Sequence, residues 1–181
     1  MKQTLQFILL ISSVEWAMGA EQPAANPATA AAQKELPAAA SPEDQKKSVA
    51  AYTEALEIEK KKDLPGAIAK WEEALKLDPR NTACLNHYAW FLGVSAPAEH
   101  RNLAKGLELS QLADRIAESK NHDILDTVAE IHFQRGDFEK AIEAQKKALQ
   151  PGLTGNCDRN YLEKQLKKFE KAQEEARKKS P

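Results

Sequence analysis

The sequence predicts an all-α protein built of stacked helical hairpins, and three observations carry that expectation. The clearest stretch, His122 to Gln150, places Leu125, Val128, Ala129 and His132 on one helical face. It places Ala141, Ile142, Gln145, Ala148 and Leu149 on another, with Gly136-Asp137 between the two. Apolar and small residues at i, i+3, i+4 and i+7 define an amphipathic helix, so the stretch reads as two short helices around a tight turn. Gly136 suits a left-handed helix end, and the Asp137 side chain is expected to cap the helix that follows. Second, the spacing recurs: Ala55 and Ala67 lie 12 residues apart, as do Ala129 and Ala141. Third, an intermediate pair, Ala89 and Gly106, falls in step, with intervals of 22 (67 to 89) and 23 (106 to 129) between neighbouring copies.

In the first copy, Ala67, Trp71 and Ala74 form the stripe of the second helix and Pro79 follows its end; in the middle copy, Leu85, Tyr88, Ala89 and Leu92 precede Gly106, Ser110 and Ala113. This arrangement resembles the tetratricopeptide repeat (TPR), in which small residues near the middle of the first helix and along the second let neighbours approach closely. The resemblance implies a solenoid of three repeats, at about 48–81, 82–121 and 122–153. The small-residue spacing in the middle copy is 17 rather than 12 (89 to 106). Its five additional residues are assigned to a loop in Val94 to His100, where Ser95 and Pro97 suit a chain break and a new helix start.

The N-terminal segment 1–20, MKQTLQFILLISSVEWAMGA, combines Lys2, an apolar run from Leu5 to Val14, and small residues at Ala17, Gly19 and Ala20. That is the pattern of a secretory signal. The apolar run is about half the ~20 residues needed to cross a bilayer, so no stable membrane insertion is expected. Residues 21–40 are mostly alanine and proline; Pro23, Pro27 and Pro37 interrupt every helical run, giving a disordered tether. Ser41-Pro42-Glu43-Asp44 then supplies a hydroxyl cap, a proline at the first helical position and two carboxylates at the positive end of the dipole. The folded domain is therefore set at 41–178, with a first helix running to about Lys62. Pro151-Gly152 stops the last repeat, and Asp158 caps a final helix at about 158–178 with Leu162, Leu166, Phe169 and Ala172 along one stripe. Solenoids need such a terminal element to cover the last apolar face.

The chain has 181 residues and a net charge of −1 with both signs interspersed, which offers no basic field for nucleic acid. His87, His100, His122 and His132 are not at metal-ligand spacing, Cys84 and Cys157 stand alone, and no nucleophile elbow or phosphate-binding glycine loop occurs. Neither cofactor, metal nor enzymatic activity is expected. Cys84 and Cys157, two repeat steps apart, are expected to remain unpaired, Trp71 to be core, and His132 to be partly buried.

The resemblance implies that a peptide or protein partner lies in the groove formed by the first helices of the repeats. The corresponding stripe reads Val49, Tyr52, Leu56 and Glu59, then Ala83, Asn86, Trp90 and Gly93, then Asp123, Asp126, Glu130 and Phe133. Tyr52, Leu56, Asn86, Trp90, Asp126 and Glu130 are the candidate partner-binding residues. Tyr52 and Leu56 stand where the carboxylate-gripping members of the family carry cation and amide, so that specificity does not transfer. The acidic end points instead to a partner segment with an apolar anchor followed by Lys or Arg. The function expected is that of an exported, non-catalytic interaction module of a bacterial periplasm or cell envelope. The alternative is a structural protein that self-associates without a peptide ligand.

Overall fold

The structure is a computed structural model that describes residues 35–179. The expected signal segment and residues 21–34 of the tether lie outside the described residues. Among the described residues seven α-helices follow in order: α1 Pro42–Lys60, α2 Leu64–Leu77, α3 Thr82–Trp90, α4 Leu103–Ile116, α5 His122–Gln134, α6 Phe138–Ala148 and α7 Arg159–Lys179. Helices α1 with α2, α3 with α4, and α5 with α6 form three hairpins, and α7 packs on the third. Among the described residues no helix is long and apolar enough to cross a membrane.

The helix starts follow from side-chain oxygens placed to accept the free amides of a first turn. Ser41 accepts from Asp44 N at 3.1 Å, Asp63 from Gly66 N at 3.0 Å, Asn81 from Cys84 N at 3.1 Å, and Asn102 from Lys105 N at 3.0 Å. Asp158 accepts from Tyr161 N at 3.1 Å, as the sequence predicts. Asp137 departs from expectation. It caps nothing; its Oδ2 instead takes Arg135 Nε at 3.1 Å and lies 3.3 Å from His132 Nδ1, so cationic and imidazole neighbours outcompete the backbone amides. Gly136 does adopt the left-handed conformation, at φ +81°.

The middle repeat also differs from expectation. Its additional residues do not begin a loop at Val94: α3 runs on through a π-helical turn, Phe91–Ser95, closed by Ala96 N donating to Phe91 O at 2.8 Å. A short 3-10 turn, Ala98–His100, follows, and Asn102 N returns to Leu92 O at 2.9 Å. Widening the helix by one residue absorbs part of the insertion without breaking the face of α3. Gly106 makes this packing possible, since a Cβ there would stand 3.1 Å from Ala89 O and 3.2 Å from Gly93 N.

The two terminal joints of the stack are aromatic, and between them Leu85, Ala113 and Ile124 join the second hairpin to the third. At the first, fully buried Trp71 of α2 meets Tyr88, Phe91 and His87 with ring centroids 5.2, 5.0 and 5.4 Å away. At the second, Phe169 of α7 is buried against Val128, Ala129, Ala141 and Ala144 and stacks on Phe133 at 4.8 Å. Leu162 fills the other end beside Leu125 and Ala148. His132 is buried, and both cysteines are free thiols.

Candidate functional site

The first helices of the three hairpins border one cavity of about 570 Å³, closed on its C-terminal side by the α6–α7 connection and the start of α7. From α1 comes Tyr52; from α3 come Thr82, Ala83, Asn86, His87 and Trp90; from α5 and its cap come Asn121, Asp123, Ile124, Asp126 and Thr127. Asn156, Cys157 and Tyr161 complete the wall. Stacking first helices side by side brings residues from segments roughly 35 positions apart onto one face.

The α6–α7 connection is clamped to the start of α5. His122 N donates to Thr154 O and Thr154 N to Lys120 O, both at 2.9 Å, forming a parallel bridge between Asn121 and Thr154. Asp123 then accepts from Asn156 N at 2.9 Å and Cys157 N at 2.8 Å. Burial works to raise the Asp123 carboxyl, but the Cys157 thiol and these two amides outweigh it and hold it below the ordinary range.

Asp126 is in the opposite condition. It is 3% exposed, accepts from Gln145 Nε2 at 3.0 Å and from the Tyr161 hydroxyl at 3.4 Å, and has no ion pair among the described residues. Burial, with the neighbouring Glu130 charge, pushes its carboxyl up to about 6 despite the Gln145 bond. Burial and then the Asp126 charge raise the Tyr161 phenol to about 12.

Of the six sequence-derived candidates, Tyr52, Asn86, Trp90 and Asp126 share this cavity. Leu56, half-buried on α1, does not line it. Glu130 is a correction to the open acidic stripe read from the sequence. It is 3% exposed beneath α7, gripped by Lys168 Nζ at 2.7 Å, Gln165 Nε2 at 3.2 Å and Gln134 Nε2 at 2.9 Å. The terminal helix packs along α6 as a further first helix would, and its side chains cover Glu130 and Phe133 of the α5 stripe. Lys168 is held there in addition by the rings of Phe133 and Phe169, 4.6 and 5.0 Å from their centroids. His87, Asn121, Asn156, Cys157 and Tyr161 were not foreseen at the site. The repeat stripe does carry Ala83 and Asp123, so six of the fourteen wall residues were accessible to register counting.

Hairpins in this order, with small residues at the crossings and a covering last helix, define a TPR-type solenoid. The structure matches the crystal structure of the Sgt2 TPR domain from Aspergillus fumigatus with a TM-score of 0.60 and 20% identity, over 79% of this chain and 87% of that chain. This shows the fold. No family model matches the sequence, and no curated protein does.

Proposed function

We propose that the protein is an exported, non-catalytic interaction module that binds a peptide or protein segment in the groove formed by α1, α3 and α5. The observation that supports this reading is the cavity itself, in which Tyr52, Asn86, Trp90 and Asp126 from three successive first helices converge. Its mix of aromatic faces, amides and carboxylates suits a polypeptide, because aromatic anchors supply contact area while amides match backbone polarity. Trp90 is half-buried on this wall and outside the aromatic cluster around Trp71. Self-association draws less support. The exposed large apolar side chains among the described residues are Leu36, Val49 and Tyr161, on three separate segments rather than one continuous face.

Trp90→Ala tests the reading when compared with wild type by circular dichroism and by co-purification from envelope extracts. Unchanged melting with lost partners is the expected result; lowered stability with retained partners would assign Trp90 to the core. Export is tested separately by N-terminal sequencing of the mature protein, expected to begin near Ala20 or Glu21. Retention of Met1 in a membrane fraction would contradict it.

A further inference from the structure

The charge on the cavity wall is one-sided. Asp123 and Asp126 are its carboxylates, and among the described residues no lysine or arginine lines it. Asp126 keeps an ionisable group nine-tenths buried with no cation paired to it, an arrangement that opposes folding near neutral pH and has no evident packing benefit. Glu130, the other buried carboxylate on α5, is by contrast already neutralised by Lys168. An uncharged acceptor adds to the pattern: Asn86 Oδ1 is buried at the same cavity and meets no donor from the described residues. The charged side chains of the wall are therefore carboxylates with an unpartnered acceptor on the same wall, which favours a cationic donor as the occupant.

We propose that the groove holds a lysine or arginine side chain of the bound partner segment, its charge received by Asp126 within the field of Asp123 and one N–H accepted by Asn86 Oδ1. This rests on the groove reading above and specifies the chemistry of its occupant. The groups facing Asp126 are Glu130 on its own helix, Tyr161 and Lys168 from α7, Gln145 from α6 and Cys157 from the connection. Tyr161 and Cys157 are pushed up to about 12 and stay neutral at ordinary pH, and Glu130 and Lys168 neutralise each other. Asp126 is charged above about 6 and neutral below it, so affinity for a cation falls as pH falls through that value.

The test pans a random linear peptide library displayed on phage against the full-length protein, then titrates the enriched sequences as synthetic peptides. Enriched peptides are expected to carry Lys or Arg, to lose roughly tenfold or more in affinity when that residue is replaced by norleucine, and to lose a similar factor on Asp126→Asn. The norleucine comparison needs no protein variant and stands even if Asp126→Asn misfolds. Wild-type affinity for the cationic peptide should fall about tenfold between pH 7.5 and 5, as the free carboxylate takes up a proton that the bound one resists. The norleucine peptide should change by less than about twofold, and the pH dependence for the cationic peptide should vanish in Asp126→Asn, which separates Asp126 from the other ionisable groups on the wall. Peptides whose binding depends on Trp90 but not on a cationic residue would overturn the inference and leave the groove reading standing. Absence of any Trp90-dependent peptide would overturn both.

Discussion

The joint between the first two hairpins and the joint between the third hairpin and α7 solve the same packing problem with different chemistry. In the first, Trp71, Tyr88, Phe91 and Cys84 are buried together, with Trp71 Nε1 unpartnered among the described residues, a buried Asn81–Ser48 hydrogen bond between the hairpins, and Tyr88 with Glu72 and Lys105 at the edge. In the second, the aromatic pair Phe133 and Phe169 stands beside a polar chain in which buried Gln145, Asp126 and Glu130 are linked to Tyr161, Gln165 and Lys168 at the surface. A mainly aromatic joint without a buried charge gains its stability chiefly from burial. Burying Asp126, Glu130 and Gln145 at best breaks even, because each loses water before it gains a partner. The difference teaches that the C-terminal joint is shaped by something besides stability, and it is the joint that supplies the cavity's buried carboxylate.

The comparison is broken most sharply by removing its aromatic half. Trp71→Ala should destabilise the protein by about 3–5 kcal/mol in denaturant unfolding, because it empties a fully buried site. A shift of only a degree or two in melting temperature would mean that the first joint does not hold the stack. Phe169→Ala should cost about 3 kcal/mol, with amide exchange accelerated first in α7, since that helix has the third hairpin alone to pack against.

Asp126→Asn should act in the opposite direction. A carboxyl raised in the folded state favours folding below its unfolded value near 4, and that contribution is lost as pH rises through about 6. The variant should therefore match wild type near pH 3.5 and exceed its stability by about 1–3 kcal/mol at pH 7. A variant less stable than wild type at pH 7 would show that the charge is structural.

The smallest effect concerns the turns. Lys62-Asp63 occupies in the first hairpin the place of Gly136-Asp137 in the third, and Lys62 adopts φ +66° against +81° for Gly136. Left-handed backbone is unfavourable for a residue with a Cβ, whereas glycine adopts it freely but loses more chain entropy on folding. Lys62→Gly should stabilise the protein by about 0.5–1 kcal/mol net, measurable as a higher urea midpoint with an unchanged slope.

The same two joints mark how far the sequence could be read. Helical hairpins, their order and the buried positions of Trp71, Ala129, Ala141 and Gln145 follow from spacing alone, because a repeat imposes its period on every copy. Tyr52, Asn86, Trp90 and Asp126 reach one cavity by the same register. Contacts outside the period are not encoded in it. The clamp of Asn156 and Cys157 on Asp123 joins residues 33 and 34 positions apart, and the grip of Lys168 on Glu130 joins residues 38 apart. Glu130 consequently read as an open groove residue, although a terminal helix covers it. The π-turn at Phe91–Ser95 escaped for a related reason: an insertion of fixed length shows where the period breaks, not whether helix or loop absorbs it.

The central claim, that the C-terminal joint keeps an uncompensated ionisable carboxyl at the cavity wall, is tested most directly by titrating Asp126 in the folded wild-type protein. Side-chain carboxyl carbon NMR between pH 3 and 8, with Asp126→Asn assigning the resonance, reads this group individually. The structure predicts a midpoint at about 6. A midpoint at or below the ordinary aspartate value of about 4 would mean that Asp126 is solvated or already paired, and would contradict the account.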